Sequence, residues 1–431
     1  MTLTLSTRAA RGLLLLSLGV FLFLAYFSIR AALAAHAVDL NSRSGYERAV
    51  RLEPGNARYW YFLGRSYQYD FDQPNPDAAL HAFLVSRSLD PLSADTLLDL
   101  ATNYDEAGKV PEARAAYLEA KRVYPLSAEV LWRYGNFLLR QNEIDSAFSE
   151  IRRAVELDPK RGAEAFSRCR RVVADPSVVL DKAIPPIFES YAAILFDLAR
   201  ENQVDLALKV WSRANPLPGT VRPEEIAIMG AALVQSDRSE DAALFWQQAS
   251  QKLPNPIPPD TSGSVLWDGG FESGFSKGGL GWQFEPQIQS VQIALDKQEK
   301  HSGEQSLRLM FTGRTNINFN GVCHWVPVAP GSTYQFSAWV KTKSLTTEQG
   351  VRFSLFSYVN GKGSTVYSPE LHGDHPWTNV VLPWTAPPFG SHFVRVCAVR
   401  SPSELADGDI QGTAWIDDVS LTPLAPERKA R

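Results

Sequence analysis

Four prolines set the frame of this chain: Pro54, Pro91, Pro125 and Pro159, spaced by 37, 34 and 34 residues. Each closes a similar phrase (RLEP, SLDP, RVYP, ELDP), with a small residue five positions earlier: Ala49, Ser86, Ala120 and Ala154. Self-similarity at such a period means stacked supersecondary units, none of which buries its apolar face alone. Behind the prolines, Trp60, Leu63, Gly64 and Tyr67 fall at i, i+3, i+4 and i+7, which is one face of a helix. So do Leu97, Leu100, Ala101 and Tyr104, and then Leu131, Tyr134, Gly135 and Leu138. A second helix in each unit carries Ala79 and Phe83, Ala113 and Tyr117, Ala147 and Ile151. Gly64, Ala101 and Gly135 let the paired helices approach. The proline ends the second helix, because the residue before a proline is pushed out of the helical region.

This pattern resembles the tetratricopeptide repeat family. Trp60, Leu63, Gly64, Tyr67, Ala79, Phe83 and Pro91 match it, apart from a three-residue insertion in the Asp70–Pro76 turn (DFDQPNP). The phrase is explicit over 57–161, and a partial unit with Tyr46, Ala49 and Pro54 precedes it. From 162 to 255 it loosens. Ala207 with Trp211, and Ala242 with Trp246, Ala249 and Pro254, mark two further helix pairs, while 162–184 is expected to be an irregular helix or linker. The resemblance implies an α-solenoid over 38–255, clearest at 46–161, whose inner helix surface binds protein partners. Arg168, Arg170 and Arg171 form a basic cluster that is either a solvated helix face or a seat for an acidic partner.

Ahead of the repeats, Gly12 to Ile29 is an uncharged run. As a helix rising about 1.5 Å per residue it spans roughly 27 Å, just short of a bilayer core. Arg30 would snorkel to the headgroups while the following alanines extend the helix. Ala35-His36-Ala37 offers the rival reading, a cleaved signal peptide. Residues 1–37 are expected to be an uncleaved anchor, because the apolar run exceeds a signal core of about 7–15 residues. Arg8 and Arg11 on one side nearly balance Arg30, Arg43 and Arg48 on the other. A short tail before a large domain then puts 38–431 outside the cytoplasm: a single pass through the inner membrane, with the bulk of the chain in the periplasm.

A net charge of −4 gives no footprint for nucleic acid. The three cysteines, Cys169, Cys323 and Cys397, form no C-x-x-C spacing. Composition shifts at PNPIPPDTSGS, so 256–264 is expected to be a linker. Beyond it, helical spacing gives way to short alternating runs: SVQIAL, QSLRLMF, TYQFSAWVKT, VRFSLFSYV, HFVRVCAVR and TAWIDDVSL. Such runs, separated by glycine, proline and asparagine, predict a β-sandwich over 265–424 with a tail at 425–431. The fold class is therefore multidomain, α then β: a transmembrane helix, a solenoid of helix pairs and a jelly-roll sandwich.

The phrases WDGGFESG, SGEQSLRL, VAPGSTYQFSAWVK, WTNVVLPWTAP and AWIDDVSL, with GW at 281–282, occur in the order of the carbohydrate-binding, galactose-binding-like jelly rolls and look like them. That resemblance implies two sites. The first is a structural calcium between the first and last strands, at Glu272 and Asp417, with Asp268 and Asp418 as alternates; plain surface acids are the other reading. No other cofactor is required. The second is a sugar site on one sheet face, where aromatic rings stack on a pyranose. Alternation in VRFSLFSY puts Val351, Phe353 and Leu355 on one face and Arg352, Ser354, Phe356 and Tyr358 on the other. In NFNGVCHWVPV it puts Trp325 with Phe319 and Cys323, opposite Asn318, Asn320 and His324. Trp325, Arg352 and Tyr358 are the candidates. Trp282, Trp339 and Trp415 sit in family phrases that pack the core. Cys323 and Cys397 are candidates for a disulfide, with two buried free thiols as the alternative; Cys169 is expected to be a buried small hydrophobe.

No G-x-S-x-G, H-E-x-x-H, P-loop or Rossmann phrase occurs. His372, Asp374 and His375 read as a polar loop before they read as a metal site. Asp417 and Asp418, adjacent on a strand, are expected to face opposite ways and not to form a catalytic pair. The expectation is a non-enzyme: an envelope scaffold whose repeats bind protein and whose jelly roll contacts glycan, accessory to surface polysaccharide production or handling. A purely structural interaction protein whose jelly roll binds no sugar is the alternative.

Overall fold

Each proline phrase closes a helix. The computed structural model describes residues 7–70, 72–254, 256, 263–274, 279–284, 290–359, 362–406 and 408–424. Most of the expected 256–264 linker, all of the 425–431 tail, Phe71 in the DFDQPNP turn and the Arg8 side chain lie outside the described residues. The chain divides into two compact units, Met1–Pro185 and Pro186–Arg431. The division falls inside the stretch expected to form one solenoid.

The first unit opens with α1 (Thr7–Asp39), then α2 (Arg43–Leu52), α3 (Ala57–Gln68), α4 (Pro76–Leu89), α5 (Ala94–Glu106), α6 (Val110–Val123), α7 (Ala128–Arg140) and α8 (Ile144–Leu157). α1 is long and apolar enough to cross a membrane, by length and composition. The turns that follow the proline phrases start the next helix with a capping side chain: Asn56, Ser93 and Ser127 accept from Arg58, Thr96 and Val130 backbone N–H groups. Small residues set the spacing within a pair. A Cβ added to Gly64 would stand 2.6 Å from the Phe83 ring, and one added to Gly135 would stand 2.7 Å from Ile151. Successive pairs are laced by charges roughly one repeat apart, such as Arg133 to Asp99 (2.9 Å), Arg140 to Asp105 (2.6 Å) and Arg161 to Glu129 (2.9 Å). The stretch 162–184 is not a linker. It forms α9 (Gly162–Arg170) and α10 (Pro176–Lys182), with Ala165, Phe166, Cys169, Val179 and Leu180 buried. The basic cluster is partly spoken for: Arg168 pairs with Glu164 at 2.9 Å and lies 5.6 Å from the Trp132 ring. Cys169 is buried and free, and burial pushes its thiol up to about 12.

The second unit joins two helix pairs to the sandwich. α11 (Phe188–Arg200) pairs with α12 (Val204–Ala214), and α13 (Pro223–Gln235) with α14 (Ser239–Ala249). Among the described residues ten strands follow: β1 (Gln283–Phe284), β2 (Val291–Asp296), β3 (Ser306–Thr312), β4 (Phe319–Pro327), β5 (Thr333–Leu345), β6 (Arg352–Val359), β7 (Lys362–Tyr367), β8 (Gly373–Thr385), β9 (Phe393–Arg400) and β10 (Gln411–Pro423). They make two antiparallel sheets, ordered β1-β4-β9-β6-β7 and β2-β3-β10-β5-β8. The six predicted runs are β2, β3, β5, β6, β9 and β10, and the fold class read from the sequence holds. Between the sheets lies one core. Phe353, Leu355, Val394, Val396 and Ala398 enter it from the first sheet, and Leu307, Leu309, Phe336, Ala338, Ala414 and Ile416 from the second.

The last helix pair is docked on the sandwich. Asp237, after α13, accepts from the backbone N–H (2.8 Å), the ring Nδ1 (2.7 Å) and the neighbouring Ser391 hydroxyl (3.1 Å) at His392. Trp246 of α14 stacks on Trp267 with ring centres 5.0 Å apart. Gly230 admits the chain at Leu280, whose backbone nitrogen would stand 2.5 Å from an added Cβ.

Candidate functional site

Alternation along β6 sends Phe353 and Leu355 into the core and leaves Arg352, Phe356 and Tyr358 on the outer face of the first sheet, as the sequence pattern predicts. β9 adds Arg395 and Cys397 to this face, since Val394, Val396 and Ala398 point inward. Register then builds rows across the sheet. Trp325 pairs with Arg395, which pairs with Phe356; Cys323 pairs with Cys397, then Ser354, then Tyr367. Strands about 4.8 Å apart put roughly 10 Å between Trp325 and Phe356.

Arginines and rings alternate over that face. The Arg395 guanidinium lies 5.9 Å from the Trp325 ring centre, and Arg352 lies 4.5 Å from that of Tyr367. Phe356 and Tyr358 meet edge to face at 5.0 Å, with Tyr358 and Tyr367 about half exposed. Arg352 also donates to the Ser401 hydroxyl at 2.5 Å and stands 3.9 Å from Glu370. Arg352 Nε and Arg395 Nε are withdrawn from solvent and meet no acceptor among the described residues. Such an arrangement offers ring faces for apolar contact and charged donors for hydroxyl or carboxylate oxygens. Trp325, Arg352 and Tyr358 therefore share one surface. Tyr367 and Arg395 belong to it and were not singled out from the sequence, although the strict alternation of HFVRVCAVR marks Arg395 as outward.

Two expectations are corrected here. Phe319 does not share a face with Trp325, because a register shift between Phe319 and Val322 inverts the alternation. His324 does lie opposite Trp325, as expected: it is fully buried between Trp267 and Trp282, and desolvation lowers it to about 4, so it is neutral at ordinary pH. Trp282 is a core residue, but Trp339 and Trp415 are not, since their neighbours Ala338, Val340, Ala414 and Ile416 fill the inward positions. Both lie on the outer face of the second sheet, where His301 stacks on Trp339 at 4.0 Å and Lys341 covers Trp415 at 5.7 Å. Cys323 and Cys397, directly opposite each other, are joined by a disulfide across the central strands.

Glu272 and Asp417 come to one place: an added Cβ on Gly270 would stand 3.7 Å from an oxygen of each. Asp417 is fully buried, and burial raises its carboxyl above the usual range. Its oxygens accept backbone N–H groups from His301 (2.8 Å), Ser302 (3.1 Å) and Asp418 (2.9 Å). Asp418 does not point away. A register shift after Asp417 and a left-handed φ of 47° at Asp418 turn its carboxylate to the same loop, where it meets His301 Nδ1 and the Ser302 hydroxyl. Nearby, burial pushes Asp268 up to about 6. Desolvated oxygen donors of this kind suit a hard cation. Among the described residues no three acidic, histidine or cysteine side chains converge on one point, so backbone oxygens would have to complete the shell. His372, Asp374 and His375 make no such cluster either; Asp374 instead accepts from the Ser344 backbone at 2.6 Å.

Residues 98–161 match the family model for the tetratricopeptide repeat, and residues 263–396 match that for a carbohydrate binding domain. The chain carries both modules. The match to the carbohydrate binding domain takes in Glu272, Trp325, Arg352 and Tyr358 and ends one residue before Cys397. No curated protein matches the chain. Among solved structures, the CBM22-1 xylan-binding domain from Paenibacillus barcinonensis Xyn10C is 16% identical over 39% of this chain and 99% of that one (TM-score 0.30). The CBM22-1–GH10 modules of Clostridium thermocellum xylanase 10B, complexed with xylohexaose, are 13% identical over 35% of this chain (TM-score 0.25). This chain spans 27% of that one. The MamA protein is 15% identical over 44% of this chain and 91% of its own length (TM-score 0.29).

Proposed function

We propose that this chain is a non-catalytic adaptor of the bacterial cell envelope. Its repeats hold protein partners, and the outer face of its β1-β4-β9-β6-β7 sheet binds a polysaccharide. The observation that carries the reading is the row of Trp325, Arg395 and Phe356, beside Tyr358, Arg352 and Tyr367. α1 anchors the chain in the inner membrane by a single pass. The Cys323–Cys397 disulfide supports an oxidising compartment, the periplasm, for the rest. In that place the chain serves surface polysaccharide production or handling.

The test uses the full chain in detergent against a panel of immobilised polysaccharides. Binding is expected to at least one of them. Trp325→Ala should weaken it roughly tenfold or more, about 1.4 kcal/mol, with Arg352→Ala and Tyr358→Ala following in the same direction. Retention of no polysaccharide by the intact chain would leave the structural alternative, an adaptor between proteins only.

We also propose Glu272 and Asp417 as side-chain ligands of a structural calcium. Millimolar calcium should then raise the thermal midpoint of the intact chain, EGTA should reverse the rise, and Glu272→Gln should abolish it. A midpoint indifferent to calcium would assign the two carboxylates to backbone N–H groups alone.

A further inference from the structure

α1 does not end where its apolar run does. It continues unbroken into the repeat unit, where Ala34 and Ala37 are buried against Ala49 of α2. Gly45 makes this approach feasible, since an added Cβ would stand 2.3 Å from the Ala37 carbonyl oxygen. α2 runs back alongside α1, so its end lies level with the end of the apolar run. There Arg30 donates to the Leu52 carbonyl, and Phe27 and Arg30 line a crevice with residues 52–57.

Helices that alternate in direction put alternate turns on one edge. The 52–57 turn beside Phe27 therefore shares its edge with the turns at 89–94, 123–128 and 157–162. The turns at 68–76, 106–110 and 140–144 lie on the other. Consecutive turns of the first edge touch: the Tyr124 hydroxyl donates to the Leu92 carbonyl at 2.7 Å. This edge carries leucines where turns ordinarily carry polar residues. Leu92 is 59% exposed, and Leu126, at 77%, is more exposed than any large hydrophobic side chain described on α1. Their counterparts on the opposite edge include Gly108, Lys109, Gln141 and Asn142. Isolated apolar side chains at the level where a spanning helix leaves the hydrocarbon fit the headgroup–acyl boundary.

We propose that the edge formed by the 52–57, 89–94 and 123–128 turns rests on the bilayer that α1 crosses, with Leu92 and Leu126 seated among the lipid headgroups. This rests on the anchor reading above. The repeats would then lie along the membrane surface, with the opposite turns facing away.

Cys169 is buried and the other two cysteines are joined, so a single added thiol can carry a fluorophore. Full chains with Leu126→Cys, Leu92→Cys or Lys109→Cys are labelled and reconstituted into phosphatidylethanolamine–phosphatidylglycerol vesicles containing lipid spin-labelled near the headgroup. Flotation is scored first. Quenching at 126 and 92 should exceed that at 109 by roughly threefold or more. Floating chains with equal quenching at all three positions, or with more at 109, overturn the proposal and leave the anchor intact. Chains that do not float overturn the anchor reading, and this one with it.

Discussion

Arg400→Met is expected to destabilise the sandwich by about 3–5 kcal/mol, since several buried acceptors lose a charged donor at about 1–3 kcal/mol each. Arg400 ends β9 and is fully buried. Its guanidinium donates to Asn316 Oδ1 (2.8 Å), to the carbonyls of Ile317 (2.6 Å), Gly408 (2.9 Å) and Gln349 (3.3 Å), and to the Thr347 hydroxyl (3.4 Å). One side chain thus ties three loops that share no ladder with one another. Burial lowers its pKa from the ordinary value, and Glu348 and Asp409 oppose that shift. Methionine fills the volume but leaves these buried acceptors without a donor. Arg400→Lys should recover only part of the loss, because an ammonium presents a point charge where a planar fork is needed. Denaturant unfolding of the intact chain, followed by tryptophan fluorescence, reads the effect. A loss below about 1 kcal/mol for Arg400→Met would mean that water replaces the guanidinium without strain.

Removing the disulfide should cost a similar amount. Cys323 and Cys397 close a loop with a sequence separation of 74, for which chain entropy gives about 4 kcal/mol. The double variant Cys323→Ala with Cys397→Ala should lower the midpoint of the sandwich by roughly 8–16 °C, at about 2–4 °C per kcal/mol. The two cysteines are direct neighbours on paired strands, 4.1 Å apart at Cα. The ladder between β4 and β9 therefore keeps its register without the bond, and the loss should appear in stability with little change in glycan binding. A midpoint unchanged in the variant, or unchanged by reductant, would show that the unfolded chain gains nothing from the freed loop.

The parts legible in the sequence are those governed by local periodicity. The 34-residue phrase located α3 to α8, because every unit repeats the same small-against-large contact, such as Gly64 against Phe83. Alternation sorted β6 correctly, since no bulge interrupts it. It failed at Phe319 and Asp418, where register shifts move side chains to the other face with no residue-level mark in the sequence. Tyr367 escaped notice because it joins Arg352 only through the pairing of β6 with β7. Asp237 and His392, 155 residues apart, meet through tertiary docking that no window of sequence spans.

That last contact bears on how such a chain is cut and inherited. Proline-rich PNPIPPDTSGS looks like a seam, yet α13 and α14 are locked to the sandwich through Asp237, Trp246 and Gly230. A cassette excised at the seam would carry away a jelly roll with the Trp267 ring and the His392 imidazole stripped of their covers. The transferable piece begins at Pro186, and the last two helix pairs travel with it.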